Sequence, residues 1–405
     1  MRILHTSDWH VGRTVRGRSR ADEHRAVLAE IAGIAHERQV DLILVAGDQF
    51  DTGAPSAESE SIVYRALLDL AATGAHVVVL AGNHDNPRRW AAVRPLLELG
   101  NVHLADRVMR PDHGGVLDLP TPSGEVARVA LVPFLSQRSI VTGDQLMAND
   151  ASQQSSTYAD RARRIIAALT ADFGSGETVD VVVGHLTVAS GEPVLGGGER
   201  QAHTIFDYVV PPQAFPATAH YVALGHLHLP HRIPGPAPTW YCGSPLHLDF
   251  GEADRGAKQV LLVEAHPDTP AKVEGIDLRA GRRMRTLRGS VDQVLARGAE
   301  LADDYVRVLL EESPRPGLAD QVREALPQAV DVSVVRPQDE DGPTSHDVNF
   351  DAQDLRQSPL ALFGEYLDEQ GIEDPRLDKL FAELLEEATL AEDDPGGAAG
   401  GRVAP

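Results

Sequence analysis

The 405-residue chain has a single cysteine, Cys242, so no disulfide can form within it, and a reducing compartment suits that count. Long apolar runs are missing as well. Nowhere do about 18 apolar residues follow one another, as a membrane-spanning helix requires, and Met1 to His5 lead straight into a strand-like run. The expectation is a cytoplasmic protein with no membrane association. Positive charge is also scarce: 37 Lys and Arg face 60 Asp and Glu, a net of -23, which argues against a chain coated in basic residues for passive nucleic-acid binding. The deficit is uneven, because Asp339 to Pro405 hold 4 Lys and Arg against 18 Asp and Glu. A locally basic face earlier in the chain is therefore compatible with the total. What is present, 42% hydrophobic residues over this length, is enough for two or three domains with real cores.

Apolar, β-branched runs that stop abruptly at polar residues recur at Arg2 to Thr6, Leu42 to Ala46, His76 to Leu80, Val181 to Val183 and Tyr221 to Leu224. Helical spacing of apolar residues between them, at Asp22 to Arg38, Ser59 to Ala72 and Tyr158 to Leu169, predicts a layered α/β protein. Residues Asp112 to Arg128 read as a hairpin or loop excursion and Gly191 to Arg200 as a mobile loop. The run His266-Pro267-Asp268-Thr269-Pro270 suggests a boundary. Beyond it the pattern is strand at Lys272 to Ile276, helix at Val291 to Ala302, strand at Tyr305 to Leu310, helix at Gly317 to Leu326 and strand at Ala329 to Val335. The expected division is 1–265, a small α/β domain at 266–337, an acidic linker at 338–357, a helical segment at 358–392 and a disordered tail at 393–405. Ser358-Pro359 and Asp374-Pro375 open the two terminal helices with a cap and a proline at the first helical position. Their stripes, Leu360, Phe363 and Leu367 on one and Leu377, Leu380, Phe381, Leu384 and Leu385 on the other, are more than a lone helical hairpin can bury.

The chemistry is written where each strand run ends: Asp8-Trp9-His10, Gly47-Asp48, Gly82-Asn83-His84-Asp85, Gly184-His185 and Gly225-His226-Leu227-His228. Singly, a Gly-Asp or Gly-His step is ordinary strand-to-turn punctuation. Together they are a set of metal-type side chains at strand ends, which in layered α/β proteins converge on one crevice. Two divalent cations side by side need a shared anionic ligand with imidazole and oxygen donors around it. Asp48 suits the shared position. Asp8, His10 and one of His226 and His228 suit one ion, and Asn83, His185 and the other histidine the second. His84 stands apart as a proton donor to a leaving oxygen, with Asp85 expected to fix its tautomer.

These ordered motifs resemble those of the calcineurin-like metallophosphoesterases, and more closely those of the bacterial SbcD nuclease family. His5 to Arg13, Gly47 to Gly53 and Tyr241-Cys242-Gly243-Ser244-Pro245-Leu246 are similar to that family's own signatures. The resemblance covers nearly the whole chain. It implies a two-sheet sandwich flanked by helices, a small α/β capping domain and a C-terminal helical segment that docks on an SbcC-type ATPase. It implies Asp8, His10, Asp48 and His228 around one metal, and Asp48, Asn83, His185 and His226 around the other, with His84 and Asp85 in catalysis. Manganese is the implied cofactor, though the ligand set alone also admits iron or zinc. A homodimer within a heterotetramer is implied by resemblance only. Archaeal relatives can carry a second histidine shortly after the shared aspartate. This chain has Asp51 in that region, and Asp51 is given no catalytic role.

The implied activity is a DNA nuclease, exonucleolytic on duplex ends and endonucleolytic on single strands or hairpins, in repair, recombination and replication. A generic phosphatase or cyclic-nucleotide phosphodiesterase is the alternative. For DNA contact the expected residues are Arg13, Arg16, Arg18 and Arg20 after the first motif and Arg88 and Arg89 after the third, because arginine grips phosphate with a planar fork of donors. Arg279, Arg282, Arg283, Arg285 and Arg288 form a second candidate patch. The apolar stripes of the C-terminal helices are the expected partner surface.

Overall fold

The computed structural model describes residues 1–147, 157–174, 176–188, 209–253, 255–298, 301 and 303–335, and singly Leu367, Leu377 and Phe381. It divides into two units, Met1–Pro337 and Gln338–Pro405.

Two six-stranded sheets dominate the first unit. In the first, the strands run Thr269–Asp277, Gln259–His266, Arg2–Thr6, Leu42–Val45, His76–Leu80, Val102–Ala105. The last four are mutually parallel, so each connection must cross over. The helices Ala21–Glu37, Ala57–Ala71 and Pro87–Glu98 make those crossings. In the second sheet the order is His231–Ile233, Thr239–Tyr241, Tyr221–Gly225, Thr178–His185, Val126–Val132, Val116–Pro120. Its middle four strands are also parallel.

Side-chain alternation along the strands explains the layering. Ile3, Leu42, Leu44, Val78 and Leu80 point inward and pack with Val129, Leu131, Val181, Val183 and Ala223 between the sheets. Their neighbours Leu4, Ile43, Val45, Val77 and Val79 point outward onto Val27, Ile31, Val63 and Leu67 of the first two helices. On the far side Val182, Val222 and Leu224 meet Ile165 and Ile166 of the helix Tyr158–Leu169. Both faces of both sheets are covered, which is why their strands read as continuous apolar runs rather than alternating ones. The expected α/β sandwich of two sheets flanked by helices is the fold observed.

A third sheet, all parallel, orders Met284–Gly289, Tyr305–Leu310 and Ala329–Val334 around a separate core that includes Leu287, Val306, Val308, Val294 and Val322. Its helices are Val291–Gly298 and Leu318–Ala325. The strand expected at Lys272 to Ile276 is not part of it. That strand, Thr269–Asp277, folds back antiparallel on Gln259–His266 and forms the edge of the first large sheet. Pro267 and Asp268 form the hairpin turn between the two, which uses the same residue types as a linker. The first strand of the small sheet is Met284–Gly289 instead, and it runs through Arg285 and Arg288 of the second basic patch. Residues Val116–Pro120 and Val126–Val132 pair antiparallel as the expected hairpin. The loop expected at Gly191 to Arg200 lies outside the described residues.

In the second unit Leu367, Leu377 and Phe381 are helical and Leu367 is buried. Leu360, Phe363, Leu380, Leu384 and Leu385, the linker and the tail lie outside the described residues.

Candidate metal centre

Five strand ends from the two sheets open on one crevice. Asp8 and His10 follow Arg2–Thr6, Asp48 follows Leu42–Val45, Asn83 to Asp85 follow His76–Leu80, His185 ends Thr178–His185, and His226 and His228 follow Tyr221–Gly225. The chain turns sharply to expose them. Asp8, His10, Asp48 and His226 all hold positive φ, at 53°, 46°, 53° and 103°, conformations that L residues keep only where the surroundings over-determine them. Gly82 is needed for a different reason. A Cβ there would overlap the Asp48 carboxylate, and one on Gly225 would overlap the carbonyl oxygen of Ala46.

The donor atoms converge. His10 Nε2 lies 3.7 Å from Asp48 Oδ2, and His185 Nε2 lies 3.5 Å from that same oxygen. His10 Nε2 and His228 Nε2 approach to 3.2 Å. Asn83 Oδ1 sits 2.9 Å from His185 Nε2 and 3.0 Å from His226 Nδ1. Three clusters each gather within 4.8 Å: Asp8 with His10 and His228, His10 with Asp48 and His84, and Asp8 with Asp48 and His185. All the predicted ligands, scattered over 220 positions, thus line one crevice, with Asp48 between His10 and His185. Phe134 closes the His185 and His226 side, its ring centroid 6.3 Å from each imidazole.

The chemistry of this donor set fits divalent cations. Burial works against protonation of His185, yet the Asp48 and Asp8 carboxylates outweigh it and raise the imidazole to about 10. Burial likewise opposes ionisation of Asp48, and the surrounding His185, His84 and His10 rings hold it well below the ordinary carboxylate range. A pocket that binds a proton so tightly is one of strong negative potential. On the other side, carboxylates stand at the outer nitrogen of two histidines: Asp51 Oδ1 at 3.4 Å from His10 Nδ1 and Glu252 Oε1 at 3.1 Å from His228 Nδ1. A proton held on His228 Nδ1 by Glu252 leaves the His228 Nε2 lone pair turned to His10 Nε2, an arrangement that suits a cation ligand.

His84 and Asp85 part company. The expectation that Asp85 fixes the His84 tautomer is corrected by the geometry: His84 Nδ1 donates to the carbonyl oxygen of Asp51 at 2.8 Å. Asp85 faces the backbone instead and accepts from the N–H groups of Gly82, Gln49 and Phe50 at 2.8, 3.3 and 3.1 Å. Burial first, and then the Asp48 carboxylate beside it, push Asp85 up to about 7 against those three donors. The carboxylate that the Gly-Asn-His-Asp run supplies is thus a staple for the loops that carry Asp48 and Asn83. The His84 amide in turn donates to Asp48 Oδ1 at 2.8 Å.

Asp51 supports the site through two neighbours. Its side chain sits between His10 Nδ1 and Arg13 and its carbonyl holds His84. Its place three residues after Asp48 was the available signal. Glu252, Lys258 and Ser7 were also missed. Ser7 Oγ donates to Asp8 Oδ2 and lies 3.0 Å from Cys242 Sγ.

Most of the arginines expected at DNA are engaged within the chain. Arg16 pairs with Asp331 of the small sheet at 2.7 Å, Arg18 donates to the carbonyl of Pro327, and Arg89 pairs with Glu60. Arg20 is withdrawn as a DNA contact: its side chain is buried, with Glu23 and the His247 carbonyl taking its donors, and it stacks on Tyr305. Arg13 pairs with Asp51 beside the crevice, and Arg88 is exposed.

Fold and site together define a metal-dependent phosphoesterase. The model of the calcineurin-like phosphoesterases matches residues 1–230, and that of the type 5 capsule protein repressor C-terminal domain matches 280–371. The SbcD component of the nuclease SbcCD from Bacillus subtilis is 36% identical over 70% of this chain and 71% of its own length. Its counterpart in Rhodobacter capsulatus is 32% identical over 90% and 93%, and that of Escherichia coli K12 is 33% identical over 73% and 73%. The chain belongs to the SbcD nuclease family of calcineurin-like phosphoesterases. Its chemistry is metal-dependent phosphodiester hydrolysis.

Proposed function

We propose that this chain is the Mn2+-dependent DNA nuclease component of an SbcCD-type complex, cutting duplex ends exonucleolytically and single strands or hairpins endonucleolytically in repair, recombination and replication. It acts in the cytoplasm with an SbcC-type ATPase. The observation that carries the reading is the crevice itself, where the two carboxylates Asp8 and Asp48, Asn83 and four imidazoles gather with His84 at their edge. Asp8, His10, Asp48 and His228 would hold one ion and Asp48, Asn83, His185 and His226 the other. Two divalent cations supply acidification of a water and neutralisation of charge on the phosphate oxygens.

The protein's own groups do the rest. Asp48 is held by the His84 amide and Asp85 ties down the loops on either side, so the donors need not reorganise as substrate enters. The Asp51 carbonyl accepts the hydrogen bond from the Nδ1–H of His84, so the proton that a His84 imidazolium delivers to the departing sugar oxygen is the one on Nε2. Arg13 and Arg88 are the arginines best placed for phosphate.

Residues 284–335, the small parallel sheet with its two helices, are read as the capping domain, 338–357 as linker, 358–392 as the ATPase-docking segment and 393–405 as tail. Exposed Leu68, Leu96 and Leu99, on and just after the helices Ala57–Ala71 and Pro87–Glu98, support self-association of two copies. Linear duplex DNA, hairpin DNA and a small chromogenic phosphodiester, assayed side by side with Mn2+ and with and without an SbcC-type ATPase, test the reading. DNA cleavage that the ATPase stimulates is expected. Turnover of phosphomonoesters with no cut in either DNA would turn the assignment to a phosphatase.

A further inference from the structure

Behind the His228 imidazole lies a buried ion pair that the proposed reaction does not use. Glu252 comes from the four-residue helix Phe250–Ala253 and has no exposed surface. One of its oxygens, Oε1, meets His228 Nδ1 at 3.1 Å. The other accepts from the Leu248 amide at 3.0 Å and from Lys258 Nζ at 2.7 Å. Lys258 is 5% exposed and spends its other two protons on the His228 carbonyl at 3.0 Å and Ser244 Oγ at 2.9 Å. The Ser244 amide donates to the same His228 carbonyl at 3.1 Å. Every donor of the ammonium is satisfied, and His228 is gripped at both its backbone and its ring.

Buried ion pairs are a poor source of stability, because desolvation offsets most of the attraction and apolar residues of the same volume do as well. This one is aimed at a single imidazole. A carboxylate at Nδ1 accepts a hydrogen bond from the N–H there, which keeps the proton on Nδ1 and leaves Nε2 as the lone pair, and Nε2 is the atom turned to His10 across the crevice. The Gly243-Ser244 turn makes the same grip possible, since a Cβ on Gly243 would crowd the His228 carbonyl. The geometry points to Glu252, held by Lys258 and Ser244, as a positioning residue that fixes the tautomer and direction of His228 as a cation ligand. The inference rests on the two-cation reading of the crevice.

Removing Glu252 alone would strand a buried ammonium, so the test uses two double variants, Glu252→Gln/Lys258→Met and Glu252→Leu/Lys258→Met, each checked for native melting. Calorimetric titration of the full-length chain with Mn2+ is the readout, independent of cleavage. The leucine pair loses about 10- to 100-fold in affinity at one of two uptake steps and leaves the other unchanged. The glutamine pair, whose amide oxygen still accepts the Nδ1 proton, falls between it and the parent. Unchanged affinities, or equal losses in both variants, overturn the assignment. On the parent chain, nitrogen-15 spectra of His228 should report the proton on Nδ1, and a proton on Nε2 overturns it as well. A parent that takes up no Mn2+ sinks this inference and the two-cation reading together. Mn2+ uptake without DNA cleavage removes the nuclease reading and leaves the positioning role standing.

Discussion

Arg16 and Asp331 meet at 2.7 Å although 315 residues separate them in sequence. The pair ties the loop that leaves the first metal motif to the last strand of the small sheet. Arg18, on the carbonyl of Pro327, and Arg20, in the Glu23 and Tyr305 cluster, make the same connection. The energetic weight is unequal. Arg16 is 61% exposed, so Arg16→Ala should cost under about 1 kcal/mol. Arg20 is fully buried, and Arg20→Ala should cost about 3–5 kcal/mol because Glu23 is left without its main cation. Thermal or urea unfolding of the two variants checks the order, and equal losses would contradict it.

Exposed Arg88 is the converse case. Neutralising it should leave stability within about 0.5 kcal/mol yet reduce the slope of log affinity against log salt for duplex DNA by about one. Arg16→Ala should leave that slope unchanged. Binding isotherms at several salt concentrations decide, and a slope that responds to Arg16 but not to Arg88 would reverse the assignment of the basic face.

Asp85 offers a prediction that separates a proton relay from a staple. Its carboxylate accepts from three backbone amides. Asp85→Asn puts an amide donor among those donors, and about 2–4 kcal/mol of stability should be lost with them. A relay residue would instead leave melting untouched and change only the pH dependence of cleavage. Melting curves of the metal-free variant are sufficient to tell which holds.

How much of this was legible beforehand follows from where each residue's signal resides. Asp8, Asp48, Asn83, His185 and His226 end apolar runs at strand termini, and a strand end is visible in a single sequence because burial on both sheet faces makes the run continuous. Glu252 was invisible because its helix is only four residues long, too short for any periodicity, and Gly-Glu-Ala-Asp-Arg reads as surface. Its burial exists only once Lys258 and His228 arrive from elsewhere in the chain. The strand Met284–Gly289 was hidden for a related reason, since its buried Met284 and Leu287 and its exposed Arg285 and Arg288 each lie three positions apart, which breaks the two-residue alternation that marks a strand. Asp85 was misjudged because adjacency in sequence to His84 suggested a contact, whereas residues next to each other in a turn commonly face opposite ways.

The glycines before the ligands make a steric prediction. Gly82→Ala should displace Asp48 rather than be absorbed, because the new Cβ meets both its carboxylate and its amide. A penalty of about 1–3 kcal/mol is expected for such overpacking, together with loss of both Mn2+ uptake steps, since Asp48 lies between the two sets of imidazoles. Calorimetry on the folded variant that returned native uptake would show the loop to be softer than its contacts imply.

Two buried histidines, His24 and His5, couple stability to pH. His24 is buried in the first helix, and burial, followed by the Arg20 guanidinium, lowers its imidazole from 6.5 to about 4. His5, buried against Tyr221, is lowered by its burial to about 3. Both stay neutral in the folded protein while the unfolded chain binds a proton at each below about pH 6.5. The unfolded state therefore gains protons first as pH falls. Above about pH 6.5 neither residue affects stability. Between 6.5 and about 4, each should remove roughly 1.4 kcal/mol per pH unit, and the His24 contribution should level off below about 4. His24→Asn should remove one proton's worth of that slope. Urea unfolding of the metal-free parent and variant at pH 7, 6, 5 and 4.5 gives the difference directly. Parallel stability curves for the two proteins would mean that His24 is protonated in the native state after all.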